Sequence, residues 1–534
     1  MGIFISVNKT IECVVIALFF SLAMLLSSAK LLGILQSCLY SNKKLVEWSR
    51  KKNNLTLGRH LLLAICCFLT SAVLALCFSF AGEWAAVISL AGFVIFYIVF
   101  IYADTRLSLR SPATLTPRFG RLMASVWLVC AIVSYLLVTL LNFADYCWGN
   151  AMFSAVRYVP LAVLPLLLLP LVCLANSIIK IYEVPRNASY VRKAKAKLAA
   201  AQNLTVVGIT GSYGKTSVKK ILTQLLSAKY RVLSTPRSHN TPLGISMTIN
   251  SSELENYDVF IAEMGARHVG DIAQLCAMCP PDYSIITGIC PQHLESFHTM
   301  ENIISGKGEI LEATKKSAFI ADDCYDLFKE YDCQKFKCDC VSDIKSDCNG
   351  TTFTLELGGE KRTVHTALLG EHAARNIGIC ALCAFAMGVD FDSIASAIEK
   401  LEFIEHRLQL IKSGGINIID DGYNANIKGA EAAINVLKTF PGAKTVVTPG
   451  LVELGVLDRE ENAALGAKLV GLDHIILVGD TLVGYVKQGY LDAGGDETKV
   501  KVVRTLFDAE SEIGHIVNKG DVVLFLNDLP DIYN

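Results

Sequence analysis

The sequence predicts an α-helical membrane bundle followed by a longer α/β region that contains a phosphate-binding loop. Hydrophobic residues make up 52% of the 534 residues and charged residues only 19%, whereas charged residues are roughly 25% of a typical soluble protein. Most of the apolar excess lies before residue 180, and short apolar runs alternate with helical patterns after residue 204. A chain of this length can also form about three or four domains.

Five charge-free apolar stretches before residue 180 predict five transmembrane helices. Four of them contain 20 to 22 residues and the first contains 17, close to the roughly 20 residues that a helix needs to cross a bilayer. So many long apolar runs would be unusual as core helices of a soluble protein. The stretches are Cys13–Ala29, Leu61–Ala81, Trp84–Ala103, Leu122–Phe143 and Tyr158–Ile179.

Basic residues are concentrated in the segments that would lie on one side of the membrane. Lysine and arginine cluster in segments 40–60, 104–121 and 180–197, whereas the other side would carry only Lys9 and Arg157. Because basic loops stay in the cytoplasm, we expect the N-terminus outside and everything after residue 180 in the cytoplasm. The predicted location is therefore the cell membrane, with membrane lipid as a partner.

A glycine-rich loop follows the first strand predicted in the cytoplasmic region. Residues 204–210 form a short apolar run, and the apolar positions of residues 218–225 repeat with helical spacing. Between them stands Gly208-Ile-Thr-Gly-Ser-Tyr-Gly-Lys-Thr-Ser217, in which the first glycine is one residue out of register with the general phosphate-loop pattern. In such a loop the backbone N–H groups bind phosphate, Lys215 would reach the β- and γ-phosphates of ATP, and Thr216 would hold Mg²⁺.

The segment Thr210–Thr216 resembles the ATP loop of the Mur ligases, the amide-forming enzymes of peptidoglycan precursor synthesis. Further segments resemble motifs of the same family in the same order, so that the resemblance covers about 330 residues from Leu204 onward. The Tyr-Asn-Ala-Asn form in the last segment is closest to MurF, the D-alanyl-D-alanine-adding members. The segments are Glu263–His268, Thr287–Phe297, Lys307–Ile310, Gly370–His372 with Asn376, His406–Leu408 and Asp420–Asn426.

The resemblance implies a role for each matching residue. It implies catalytic roles for Lys215, His293 and Lys307. It implies metal binding by Thr216, Glu263, His293 and Lys307, the last of which is carbamylated in several family members. It implies ATP binding by Gly211, Ser212, Gly214, Lys215, Thr216, Ser217, Asn376, Arg407, Asp421 and Asn424, and acceptor contacts by Asn240 and Thr241.

Several of these residues also have an ordinary structural interpretation. Taken alone, Glu263 would be a strand-end charge, His293 a satisfied polar residue and Lys307 a solvated helix charge. Asp420 and Asp421 could simply end a strand. The order and spacing of the first three after the loop favour the functional interpretation.

The resemblance also defines the expected domains. We expect a five-helix transmembrane region over 1–182, a basic helical linker over 183–203, a central ATP-binding domain over 204–403 and a C-terminal domain over 404–534. In the C-terminal part, short apolar runs that alternate with helical stretches predict a doubly wound α/β domain. The domain that holds the UDP part of the precursor in the family is missing, and the membrane bundle stands in its place.

The expected function is ATP-dependent amide bond formation through an acyl phosphate, with a UDP- or lipid-linked cell-wall precursor and an amino acid or dipeptide as substrates. A membrane-bound poly-amino-acid synthase and an ATP-driven transporter remain as alternatives. None of the five apolar stretches contains a charged residue, and such residues often mark transport pathways. The 49 basic and 50 acidic residues nearly balance, which argues against a nucleic-acid partner.

Overall fold

The structure, a computed structural model, describes residues 2–50, 56–77, 98, 113–148, 158–236, 239–291, 294–422, 426–452, 454 and 457–526. The described residues form two compact units, one up to Arg186 and the other from Asn187 onward. An apolar helical region followed by two α/β sheets agrees with the predicted fold class. The bounds of the four predicted segments stay a prediction.

The first unit is helical. Its helices are α1 Gly2–Ser27, α2 Ala29–Ser37, α3 Asn42–Arg50, α4 Thr56–Cys77 and α5 Pro117–Trp148, followed by the 3₁₀ helix Val159–Leu167 and by α6 Leu168–Ala200. The part of α6 from Asn187 onward belongs to the second unit. The 3₁₀ segment carries prolines, which remove backbone donors and so disfavour a regular α-helix there. The predicted basic linker forms the second half of α6.

Three helical segments of this unit are long and apolar enough to cross a membrane: Thr10–Ser27, Pro117–Cys147 and Val159–Ala200. Leu61–Leu74 is a shorter apolar helix. The predicted span Trp84–Ala103 lies outside the described residues, apart from Ile98. The described helices therefore agree with three of the predicted spans in length and composition.

Apolar side chains cover the inside and the outside of this unit. Phe20, Met24 and Leu35 are fully buried, whereas Leu22 and Leu136 are more than half exposed. A helix that is apolar on all sides is typical of a membrane span. Outward-facing leucines are what a lipid environment favours, since they would be costly in water.

The second unit begins with a six-stranded parallel sheet in the order β2-β3-β1-β4-β5-β6. Helices pack on both faces, and their apolar positions form two separate clusters of buried residues. The strands are β1 Thr205–Thr210, β2 Val232–Ser234, β3 Val259–Glu263, β4 Tyr283–Ile286, β5 Ser317–Ala321 and β6 Lys335–Cys338. The helices are α7 Lys215–Leu226, α8 Pro242–Ser251, α9 Asp271–Met278, α10 Leu294–Phe297, α11 Met300–Ala313, α12 Glu371–Ala386 and α13 Phe391–Glu399.

A small antiparallel sheet packs beside this domain. It consists of β7 Val341–Asp347, β8 Gly350–Leu357 and β9 Glu360–Thr366. Gly358 and Gly359 form the turn between β8 and β9, and both have positive φ values, 59° and 86°. A two-residue turn of this type favours glycine because an L-residue with a side chain is strained there.

The C-terminal sheet has the strand order β10-β11-β15-β12-β13-β14, and all its strands are parallel except the edge strand β10. Its strands are β10 Gln409–Ser413, β11 Ile416–Asp421, β12 Lys444–Thr448, β13 His474–Val478, β14 Val500–Val503 and β15 Val522–Leu526. Its helices are α14 Ile427–Thr439, α15 Asp458–Lys468, α16 Val483–Asp492 and α17 Leu506–Ile516. The doubly wound arrangement is the predicted one, with β10 as an added antiparallel strand.

Candidate active site

The phosphate loop connects β1 to α7. Its Gly211 has φ 150°, and a Cβ there would lie 2.1 Å from the Thr287 hydroxyl oxygen, so only glycine fits. Gly214 has φ 77° and directly precedes α7, where a left-handed conformation again favours glycine. The Ser212 N–H donates to the Gly288 carbonyl at 2.8 Å. The loop is thus held against the end of β4, and the N-terminus of α7 faces the position of a phosphate.

Two lysines converge on one carbonyl of this loop. Lys215 Nζ donates to the Gly211 carbonyl oxygen at 2.6 Å, and Lys307 Nζ from α11 donates to the same oxygen at 3.0 Å. Burial lowers the pKa of Lys215, and nearby Arg407 lowers it further, while Glu263 opposes the shift. Burial and the charge of Lys215 lower the pKa of Lys307 well below its usual value. The lowered pKa shifts the protonation equilibrium of Lys307 toward the neutral amine.

Glu263 stands at the carboxyl end of β3, next to β1. Its side chain is buried and accepts from the Thr216 hydroxyl at 3.1 Å and from the Asn240 amide at 3.2 Å. Lys219 Nζ lies 2.9 Å from the same carboxylate, and both side chains are buried. The structure therefore brings together three predicted residues and adds Lys219.

Sequence reasoning missed Lys219, although a signal for it was present. Lys219 follows Lys215 by one helical turn and stands between the buried residues Val218 and Ile221. A lysine at buried positions of an amphipathic helix needs a charged partner. Its partner is Glu263, and the pair orients the carboxylate toward the phosphate loop.

A cavity of about 450 Å³ lies beside the loop, between the middle and C-terminal domains of the second unit. It is lined by five predicted nucleotide-binding residues: Gly214, Ser217, Asn376, Arg407 and Asp421. Apolar side chains such as Ile221 and Leu368 complete the wall. A lining that combines polar and apolar side chains beside a phosphate loop suits a phosphorylated ligand with a flat ring system.

Asp323 joins the two domains at the mouth of this cavity. It accepts from the Tyr213 hydroxyl at 2.5 Å and pairs with Lys428 Nζ at 3.0 Å. Tyr213 belongs to the phosphate loop and Lys428 to α14 of the C-terminal domain. Burial and the neighbouring Asp323 raise the pKa of Tyr213. This contact, which the sequence did not indicate, links the loop to the position of the C-terminal domain.

The segment 406–408 enters the C-terminal domain in an unusual backbone conformation. His406 and Leu408 have positive φ values of 58° and 45°. Residues other than glycine adopt such backbone angles at an energetic cost. Hydrogen bonds to the end of β11 help to hold the segment: His406 Nδ1 lies 2.7 Å from the Asp420 carboxylate, and the Leu408 N–H donates to Asp421 at 3.2 Å. The turn places Arg407 on the cavity wall.

His372 also lines the cavity, and its Nδ1 is buried without a hydrogen-bond partner among the described residues. Burial lowers the pKa of His372 to about 4. The ring is therefore neutral at physiological pH, and its free nitrogen is available to a polar atom of a bound ligand.

The Mur ligase middle domain matches residues 209–384, and the Mur ligase C-terminal (glutamate ligase) domain matches residues 406–527. Both matches fall on the two sheets that enclose the cavity. The chain belongs to the Mur ligase family.

The relatives of this Mur ligase are named UDP-N-acetylmuramoyl-tripeptide–D-alanyl-D-alanine ligases. The protein from Bacillus subtilis (strain 168) is 29% identical over 342 residues, which are 60% of this chain and 72% of the relative. The protein from Escherichia coli (strain K12) is 28% identical over 333 residues, which are 59% of this chain and 74% of the relative.

Solved MurF structures have the same fold. MurF from Thermotoga maritima in complex with ADP is 28% identical, with a TM-score of 0.58 over 65% of this chain and 81% of its own. MurF from Acinetobacter baumannii is 25% identical, with a TM-score of 0.58 over 64% of this chain and 77% of its own. The protein is thus an ATP-dependent, ADP-forming ligase of the peptidoglycan-precursor type, and the alternatives of polymer synthase and transporter are not favoured.

Three predicted site residues of this Mur ligase are not among those that the structure places at the phosphate loop or in the cavity. His293 and Asn424 lie outside the described residues. Thr241 is exposed, and its hydroxyl accepts from the Gly244 N–H at 3.3 Å as the N-cap of α8. Its contact with an acceptor stays a prediction, whereas its capping role is visible in the structure.

Proposed function

We propose that this Mur ligase joins a carboxylate of a peptidoglycan-precursor peptide to the amine of D-alanyl-D-alanine or a similar dipeptide. The observation that carries this proposal is the convergence of Lys215 and Lys307 on the carbonyl of Gly211, beside the Thr216–Glu263 pair. Two buried amino groups and an oriented carboxylate meet where the γ-phosphate of ATP would enter. The similarity to MurF supports this choice of substrates.

The reaction would proceed in two steps. The acceptor carboxylate attacks the γ-phosphorus of ATP, and ADP leaves as an acyl phosphate forms. The amine of the dipeptide then attacks the acyl carbon, loses a proton and displaces inorganic phosphate, which leaves the amide. Such a transfer depends on positioning and charge neutralisation rather than on covalent catalysis. Lys215 and the loop N–H groups would neutralise the transferring phosphoryl group, with Arg407 approaching from the C-terminal domain.

The residues present fit a Mg²⁺ ion. Thr216 and Glu263 supply a hydroxyl and a carboxylate only 3.1 Å apart, and hard oxygen ligands of this kind suit Mg²⁺ together with phosphate oxygens. In the described part of the chain no group of three or more His, Cys, Asp or Glu side chains could hold a metal, so the nucleotide would complete the coordination. The ion would supply charge neutralisation at the phosphates.

Membrane attachment is the second part of the proposal. The three long apolar helices support a multi-pass protein of the cell membrane, and the distribution of basic residues supports an external N-terminus with cytoplasmic catalytic domains. We expect reporter fusions after Ile179 to give a cytoplasmic signal and fusions near Trp148 to give an external one. A cytoplasmic signal at Trp148 would contradict the five-helix topology.

The third part is that the acceptor is presented at the membrane surface, on a lipid carrier. A tethered substrate would have a high effective concentration near a membrane-attached site, and basic residues of α6 such as Arg192 and Lys193 would favour anionic surfaces.

The test compares amide formation by the full-length protein with that by a protein that begins at Asn187. Each receives ATP, D-alanyl-D-alanine and either soluble UDP-N-acetylmuramoyl-tripeptide or a lipid-linked tripeptide in vesicles. We expect full-length protein to use the lipid-linked acceptor at least about tenfold more efficiently than the truncated protein. Surface presentation would be rejected if the two proteins use the soluble acceptor equally well and neither forms an amide with the lipid-linked acceptor. A ladder of products would instead indicate a polymer synthase.

A further inference from the structure

A second groove lies on the middle domain and shares no lining residue with the nucleotide cavity. Its volume is about 600 Å³. The last turns of α6 form one wall with Tyr190 and Lys193, and α8 forms another with Met247 and Asn250. The segment before α8 contributes His239. Helix α6 thus contributes to a groove although it lies outside the matched Mur ligase domains, which begin at residue 209.

Two polar atoms of this groove are buried without partners. The Asn250 side-chain N–H donates to the Tyr190 carbonyl at 3.0 Å, which orients the amide and leaves its Oδ1 without a donor among the described residues. The Nδ1 of His239 is likewise buried and unpaired within the described part of the chain. Because buried polar atoms are normally hydrogen-bonded, these two indicate a ligand that carries hydroxyl or amide groups.

The groove also has a cation for an acidic ligand. The ammonium group of Lys197 donates hydrogen bonds to the carbonyl oxygens of Ser252 and Asn250, at 2.5 and 3.5 Å. Lys193, one turn earlier on α6, lines the groove, is exposed and forms no ion pair with any described residue. An exposed lysine beside unpaired hydrogen-bonding groups favours a ligand with a phosphate or carboxylate.

The groove is connected to the active site through one neighbouring residue. Asn240, which follows His239, donates to Glu263 and accepts from the Gly265 N–H through its backbone carbonyl at 2.9 Å. A Cβ on Gly265 would lie 2.8 Å from the Asn240 side chain, so this contact is tightly packed. A ligand in the groove would therefore approach Glu263 and the phosphate loop by way of Asn240.

We propose that this groove binds the non-reacting sugar–peptide part of the acceptor. Lys193 would contact its phosphate or a carboxylate, and His239 and Asn250 would contact its hydroxyl and amide groups. The proposal rests on the function proposed above. It assigns to the second half of helix α6, which continues from the apolar first half of the same helix, a direct part in recognition of the acceptor.

The test is direct binding of UDP-N-acetylmuramoyl-tripeptide to the full-length protein in detergent, measured by calorimetry without ATP. We expect Lys193→Ala, which removes the cation, and Met247→Trp, which fills the groove from an exposed position, each to raise Kd by about tenfold. Lys195→Ala is the matched control, because Lys195 is an exposed lysine on the same helix that does not line the groove. The control should leave Kd unchanged, and all three variants should keep the wild-type KM for ATP.

The same variants with the lipid-linked tripeptide in vesicles distinguish the two sources of the sugar–peptide. If the groove variants lose affinity for both acceptors, the groove binds the sugar–peptide that the two acceptors share. If they lose affinity for only one acceptor, the groove recognises the carrier group of that acceptor. Unchanged Kd in both groove variants, or no binding by the wild type, would overturn the groove as an acceptor site. Amide formation by the wild type, measured separately, tests the proposed function: binding without turnover would reject the ligase reaction and leave the groove standing.

Discussion

Replacement of Lys215 by alanine should reduce ATP-dependent amide formation by about 100- to 1,000-fold, equivalent to roughly 3–4 kcal/mol of transition-state stabilisation. Lys215 Nζ already lies on the phosphate loop, 2.6 Å from the Gly211 carbonyl oxygen. Its charge would be used where the γ-phosphoryl group becomes more negative during transfer. Burial lowers the pKa of Lys215, and the negative charge of a bound phosphate should oppose that shift and favour the protonated form. The measurement is the initial rate of ADP release that depends on both acceptor and dipeptide.

The matched control is Lys220→Ala, because Lys220 lies on the same helix and does not line the nucleotide cavity. It should keep wild-type turnover. Lys215→Met is a second variant that preserves the aliphatic volume of the half-buried side chain, so its melting temperature should equal that of the wild type or exceed it. Full activity of Lys215→Ala in a correctly folded protein would exclude the proposed phosphoryl transfer at this loop.

Replacement of Lys307 by alanine should reduce turnover by about 100-fold, and short carboxylic acids such as acetate should partly restore it. Only a neutral amine adds CO₂, with loss of a proton, to form a carbamate. Burial and the charge of Lys215 lower the pKa of Lys307, so the neutral form is available at pH values where an exposed lysine is protonated. The resulting carboxylate would stand beside the Gly211 carbonyl, within the loop that faces the phosphates.

Lys307→Met provides the control for this rescue. Its side chain fills the space that alanine leaves open, so added acetate should not restore its activity. A second readout does not depend on turnover: protein equilibrated with ¹³C-labelled bicarbonate should show a carbamate carbonyl resonance that both substitutions remove. Wild-type turnover by Lys307→Ala would contradict the carbamate role alone, because the phosphate loop would remain intact.

Most of the soluble fold could be predicted from local sequence patterns. The run at 204–210, the glycine loop and the helix after it are β1, the phosphate loop and α7 as expected. The edge strand β10 was missed because only two of its five residues, Leu410 and Ile411, are apolar and none is fully buried. Gly414 and Gly415 after it have the positive φ values of a tight hairpin turn. The spacing of apolar residues indicates which positions are buried. An exposed edge strand has few buried positions and so gives a weak pattern.

The site was only partly predictable for a different reason. Motif positions indicated Lys215, Glu263 and Lys307, because phosphate binding requires particular residue types next to a glycine turn. The spacing indicated that Lys219 needs a charged partner but not that the partner is Glu263. It also gave no sign that Asp323 would contact both Tyr213 and Lys428, the latter 105 positions away in the chain. Such pairs depend on which helices pack against which strands.

The sequence by itself determined the class of protein and its chemistry. Apolar stretch lengths predicted long apolar helices, three of which the structure contains at a length that could cross a membrane, and the ordered motifs predicted an ATP-dependent ligase. The tertiary structure decided the electrostatic states and the shape of the sites. It buries Lys307 beside Lys215 and thereby lowers its pKa, and it brings α6 against α8 to form a groove with unpaired polar atoms. Desolvation and long-range packing arise only when distant segments meet, and local sequence patterns do not encode which segments will do so.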